Sequence, residues 1–177
     1  MRFLTVSLGY HPDVIGGAWR VAAAQCAGLA ARGHPVEVIT AQASPDLPGT
    51  ELREGVRIHR FPQGNAGFYV NWRAENRAAA ALIRERLDTS TQPTLIIQHH
   101  AFLEPAVATA PSPVLHVFHG PWSEEYRSNA RAKPGALPRR LLDPLIQRML
   151  HRVERRALRR AGRILVLSRH FASRLPL

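Results

Sequence analysis

The chain has 177 residues, 45% of them hydrophobic, which suits one folded domain with a substantial core and excludes a disordered or fibrous protein. Its net charge of +11 is lopsided: residues 127–177 carry 14 Lys/Arg against Asp143 and Glu154, a balance of +12, while the first 126 residues come to −1. The single cysteine, Cys26, excludes an intramolecular disulfide framework, and no stretch approaches the roughly 20 apolar residues that a membrane span needs.

Along the chain, apolar runs alternate with helical periodicity, the pattern of βαβ units around a mostly parallel sheet in a three-layer α/β/α domain. Arg2–Leu8 reads as a first buried strand ended by Gly9. From Gly17 the spacing becomes helical, with Ala18, Val21, Ala22, Cys26, Leu29 and Ala30 on one face, and Gly33 stops that helix as a left-handed cap. Val36–Thr40 and Val56–Phe61 are the next strands, separated by a Pro/Gly-rich turn. A helix is expected over Asn71–Leu87, a strand over Thr94–Gln98, a short helix over Phe102–Ala110 and a strand over Val114–His119. In Ser123–Pro138 the Pro134-Gly135 pair and Pro138 break any helix.

The next helix is strongly amphipathic. Leu141, Leu142, Leu145, Ile146, Met149, Leu150, Val153, Ala157 and Leu158 form an apolar stripe, and Arg148, Arg152, Arg155, Arg156, Arg159 and Arg160 occupy the other side. Gly162 ends it, Arg163–Leu167 reads as a buried strand, and Ser168 can cap a final helix. That helix has barely begun at Leu177, so the sequence reads as the first part of a longer protein.

Two places carry chemistry. The loop Tyr10-His11-Pro12-Asp13-Val14-Ile15-Gly16-Gly17 follows the first strand, where ligands of open parallel sheets bind. Paired glycines let the backbone approach a ligand, and the free N–H groups opening the helix can receive a phosphate or a sugar hydroxyl. The loop lacks the spacing G-x-G-x-x-G, and no acidic residue ends the second strand, which disfavours a dehydrogenase-type dinucleotide site. His119 ends a strand before Gly120-Pro121, at the same edge. His99 and His100 end the neighbouring strand and must point to opposite faces, with His100 the better candidate for the cleft. A metal site built from His99, His100, His116 and His119 has no diagnostic spacing. Glu124 and Glu125 can bind hydroxyls or the positive end of a helix.

The run from Phe3 to Thr40 resembles the opening of the family-four retaining glycosyltransferases, which have the GT-B fold. The likeness lies in the early strand, the Asp13-Val14-Ile15-Gly16-Gly17 loop, the helix ending Ala31-Arg32-Gly33-His34, and Val36-Glu37-Val38-Ile39-Thr40. Val117-Phe118-His119-Gly120 resembles that family's strand-ending His-Gly motif, and Glu154 to Ser168 resembles its approach to the interdomain linker. The resemblance implies a Rossmann-like half of a GT-B fold: a single N-terminal, acceptor-side domain over 1–177, with the donor-binding half absent. It implies His119 at the reacting centre; their places in the pattern above make Tyr10, His11, Gly16, Gly17, His100, Gly120 and Glu124 the expected substrate contacts. It implies a nucleotide-sugar donor as co-substrate, a sugar or lipid-linked acceptor, no further cofactor and no metal. The Arg/Lys pair and the Glu-x7-Glu motif that grip the donor in the family have no counterpart before Leu177, so the 177 residues alone are expected to be inactive.

Other readings stay open. A non-catalytic binding module of the same fold is one. A basic nucleic-acid-binding domain is another, although Arg139–Arg163 holds no aromatic residue of the kind that stacks on bases. The arginine-rich helix fits peripheral contact with an anionic membrane as well as a solvated face. With no signal sequence legible at the N-terminus, a cytoplasmic protein is expected, with possible attachment at the inner face of the cell membrane.

Overall fold

The computed structural model describes the backbone of residues 1–64, 68–132 and 137–175, and the side chains of residues 1–64, 71–128 and 143–175. The order is β1 Arg2–Val6, α1 Gly17–Ala31, β2 Val36–Gln42, β3 Thr50–Arg53, β4 Val56–Pro62, α2 Phe68–Asp88 and β5 Thr94–Gln98. A 3-10 turn at Ala101–Leu103 runs into α3 Glu104–Val107, followed by β6 Val114–Phe118, α4 Trp122–Ala132, α5 Leu137–Arg160, β7 Arg163–Val166 and α6 Arg169–Ala172. Among the described residues the sheet has seven strands in the order β3-β4-β2-β1-β5-β6-β7, all pairings parallel except β3 with β4.

Strand β1 sits in the middle because both its faces are covered, and all five residues are buried. Leu4 and Val6 face the layer of α2 and α3, where Ala79, Ile83, Leu103 and Val107 meet Ile39, Phe61 and Ile96. Phe3 faces the layer of α1, where Ala22 and Cys26 meet Val36, Val38, Ile58 and Val117. Such alternation is the period of 2 written onto a sheet buried on both sides. Gly33 stops α1 at φ 78°, the left-handed geometry that glycine adopts without cost, as the sequence indicates.

Four features differ from the sequence reading. The turn before β4 contains the antiparallel edge strand β3, whose alternating exposure leaves little hydrophobic signal. Strand β7 is not buried: it is the opposite edge, and Arg163 and Leu165 face outward. In Ser123–Pro138 the backbone stays helical as far as Ala132, and Pro138 is the second residue of α5, where a missing N–H breaks no helical bond. Within the stripe of α5, Leu150, Val153, Ala157 and Leu158 are buried while Leu145 is 65% exposed; Leu141 and Leu142 lie outside the described residues. Among the described side chains, the buried part of the helix begins at Leu150, and ahead of it Asp143 accepts a hydrogen bond from Tyr126 at 2.8 Å.

Candidate functional site

From β1 the chain crosses to β2 on one side, and the later strands β5 and β6 extend the sheet on the other. The loops after β1 and β5 therefore diverge, and a crevice opens at the carboxyl ends of these strands. A cleft of about 300 Å³ lies there, lined by Gly16, Gly17 and Trp19 after β1, His99 and His100 after β5, and His119 and Gly120 after β6. Trp122 and Glu125 of α4, with Glu154 of α5, close its far side.

The glycine loop is held by charge from beneath. Arg60, with no exposed side-chain surface, donates from Nε and Nη2 to Asp13 Oδ2 at 2.9 and 2.6 Å, from Nη2 to Glu51 Oε1 at 2.9 Å and from Nη1 to the Pro48 carbonyl at 2.9 Å. Arg53 donates to Asp13 Oδ1 at 3.1 Å and also pairs with Glu51. The next turn is held by shape. A methyl group at Gly16 would meet Trp19 Cδ1 at 2.8 Å, so this indole can lie on the loop only because residue 16 has no side chain. On the opposite wall Gly120 has φ 138°, and a methyl group there would meet Phe171 at 3.1 Å.

Four histidines collect at this edge. His99 Nδ1 and His119 Nε2 are 3.1 Å apart, their rings stacked at 5.4 Å, so one ring donates to the other. Because β5 ends at Gln98, strand alternation does not apply to His99 and His100: both line the cleft. His100 Nδ1 accepts the Phe102 N–H at 3.2 Å, and its ring lies between Trp19 (5.9 Å) and Trp122 (4.8 Å). Burial, and then the neighbouring imidazoles, pull His99 and His100 down to about 3 and His116 to about 4; burial alone moves His119 in the same direction. Among the described residues no three His, Cys, Asp or Glu side chains are grouped to hold a metal ion.

This cluster predicts acid sensitivity. His99 and His116 are 1% and 2% exposed, so they stay neutral in the fold and take up protons only on unfolding. Their stabilisation is present above the ordinary histidine value of 6.5 and is lost as the pH falls toward 4. Each contributes a slope of about 1.4 kcal/mol per pH unit in that window. Urea unfolding between pH 4.5 and 6.5 should show the slope reduced by that amount in His116→Gln, and an unchanged slope contradicts the assignment.

A second cleft of about 360 Å³ adjoins the first and shares His100, Trp122 and Glu125 with it. Gly64, Asn71, Glu75, Phe102 and Tyr126 supply other parts of its wall. Glu75, 4% exposed, accepts the Gly64 N–H at 3.2 Å; burial pushes its carboxyl upward. Aromatic faces with carboxyl and amide groups around them suit a polyhydroxylated ligand.

Of the residues expected to bind substrate, Gly16, Gly17, His100, His119 and Gly120 come together around the first cleft. Tyr10, His11 and Glu124 do not line it. Tyr10 is 4% exposed and packed among Ala22 and Cys26 in the layer below, because the loop turns its ring inward. His11 Nδ1 is buried without a partner among the described residues, and Glu124 pairs on the surface with Arg174 at 2.8 Å. Sequence reasoning missed Trp19, Trp122 and Glu154. The signals for the last two are slight: a tryptophan two residues after Gly120, and one acid within a run of arginines.

Two glycogen synthases of Mycobacterium tuberculosis, from strains CDC 1551 / Oshkosh and ATCC 25618 / H37Rv, are each 35% identical to the chain over 126 residues, covering 62% of it and 30% of the relative. The chain thus spans less than a third of the length of these curated relatives. The sucrose-phosphate synthase structure from Thermosynechococcus elongatus superposes with a TM-score of 0.65 at 15% identity, over 94% of this chain and 47% of that one, and so shares the fold of a GT-B glycosyltransferase domain. Residues 16–176 match the family described as glycosyl transferase 4-like domain. With the match running from the glycine loop to α6, the chain belongs to that glycosyltransferase family.

Proposed function

We propose that this domain is the acceptor-side half of a retaining glycosyltransferase that moves a hexosyl group from a nucleotide sugar to a sugar or lipid-linked acceptor. The observation that carries the reading is the convergence of the paired-glycine loop and the His119 imidazole on one cleft at the switch point of the sheet. In the tautomer in which His99 donates from Nδ1, His119 accepts at Nε2 and keeps its own proton on Nδ1, as a fixed donor toward a sugar hydroxyl. A neutral ring supplies this hydrogen bond without changing charge near pH 7. The donor occupies the first cleft and the acceptor the second, with Trp122 between them.

In this reading the leaving phosphate takes the acceptor proton at the front face of the sugar, and the protein contributes positioning and stabilisation of developing charge. The grip on the diphosphate belongs to a second domain, in keeping with the share of the relatives' length that this chain spans. The 177 residues alone therefore bind donor weakly and do not turn over. The test is a panel of nucleotide sugars assayed on this chain and on the longest polypeptide that carries it. Transfer by the longer form alone supports the reading; donor-dependent transfer by the 177 residues contradicts it.

The exposed side of α5 favours a partner for the same protein. Arg148, Arg152, Arg156 and Arg159 are exposed along one line of the helix, and among the described residues the carboxylate near them is Glu104, 3.7 Å from Arg156. A cytoplasmic enzyme carrying this stripe makes transient contact with anionic lipid, each arginine adding about 1 kcal/mol near a charged surface. Among the described residues no helix is long and apolar enough to cross a membrane. Co-sedimentation with vesicles containing acidic lipid should exceed that with neutral vesicles, and equal binding to both rejects the contact.

A further inference from the structure

We infer that Glu154 is a positioning residue for both clefts: from α5 it grips the backbone of Trp122 and so fixes the wall that they share. Trp122 is the first residue of α4, and its N–H is one of the donors that a helix start leaves without a partner in the helix. Glu154 Oε1 accepts it at 2.8 Å. The Trp122 ring then meets His100 at 4.8 Å and Phe102 at 5.7 Å; His100 in turn meets Trp19, the indole that lies on Gly16. A shift at Trp122 is transmitted across the cleft to the glycine loop. The inference relies on the ligand reading above only for its effect on binding.

The carboxyl is set up unlike a structural ion pair. Glu154 is 2% exposed, and its Oε2 has no partner among the described residues. Leaving a buried carboxyl oxygen unmatched is costly, which argues for a group retained for what it holds. Burial, and then the charge of Glu124, push it up to about 7 against the downward pull of the Trp122 N–H. Glu124 on α4, itself paired with Arg174, acts on it through its charge, and Glu125, His99, His100, His116 and His119 line the same cleft. Burial holds His99, His100 and His116 neutral in the range where Glu154 titrates, and moves His119 in the same direction.

Two readouts therefore move in opposite directions. The ionised carboxylate makes the stronger, charge-assisted hydrogen bond, so the wall tightens as the pH rises through 7. Folding stability from the same group is present below the ordinary glutamate value of 4.5 and is lost as the pH rises through 7. A structural role alone would move only the second.

Labelling with 5-fluorotryptophan gives one fluorine resonance for each of Trp19, Trp72 and Trp122, the last assigned by its loss in Trp122→Phe. The Trp122 resonance of the wild-type chain should titrate with a midpoint near 7, and that of Glu154→Gln, which keeps an acceptor but no charge, should stay flat. With UDP-glucose as the probe, wild-type affinity should rise about 3–10-fold from pH 6 to 8, the equivalent of one strengthened hydrogen bond, and change less than about twofold in Glu154→Gln. A resonance that is flat in the wild type, or that titrates equally in both proteins, overturns the inference. Titration of Trp122 in the wild type alone, with no UDP-glucose binding at any pH, upholds the positioning role and refutes the donor reading of the cleft.

Discussion

Replacing Asp13 with alanine is expected to lower the unfolding free energy by about 3–5 kcal/mol, and the melting temperature by about 6–20 °C for a chain of this length. The reason is what is left behind. Arg60 has no exposed side-chain surface, and Asp13 accepts two of its hydrogen bonds, so the truncation leaves Arg60 Nε buried without an acceptor. Glu51 and the Pro48 carbonyl still hold the other nitrogens, which keeps the cost within that range rather than above it. Because the pair is shielded from solvent, the loss should persist in high salt, unlike that of a surface pair. Differential scanning calorimetry of Asp13→Ala and of Asp13→Leu with Arg60→Met checks this. The double replacement, which removes both charges, should recover most of the loss. A single-variant shift below 2 °C would show that the ion pair does not hold the loop.

The second large effect concerns turnover. In a polypeptide competent for transfer, His119→Ala should lower kcat by about 10²-fold, the order of loss expected when a fixed donor no longer positions the sugar at the reacting centre. The fall belongs in kcat more than KM if the imidazole bonds more strongly to the transition state than to the bound donor. Stability should change by only about 1 kcal/mol, because the loss unpairs a single nitrogen, His99 Nδ1. Steady-state kinetics alongside urea unfolding separates the two, and unchanged kcat with a raised KM would reassign His119 to simple binding.

Much of the frame was legible because its signals are local. Buried strands such as β1 and β2 write short apolar runs, Gly33 marks a left-handed cap, and His119 before Gly120 marks a strand end at the ligand edge. The failures occurred where burial is decided at a distance. Strand β7 has the composition of an inner strand but, among the described residues, pairs with β6 alone, and β3 is an edge whose alternate residues face solvent. Tyr10 looked like a loop residue facing a ligand, yet the ion pairs that hold Asp13 turn this stretch so that its ring packs near Cys26. Trp122 and Glu154 are 32 residues apart and meet only because α4 and α5 pack together. No local pattern announces such a contact.

Backbone amide and imidazole NMR of the labelled chain, titrated with UDP-glucose and ADP-glucose, tests the site most directly. The account predicts that the Gly16 and Gly17 amides, Gly120 and the His119 ring nitrogens shift together along one saturable curve. Shifts confined to the exposed arginines of α5, or none at saturating nucleotide sugar, would mean that the cleft joining the glycine loop to His119 is not where this protein meets its donor.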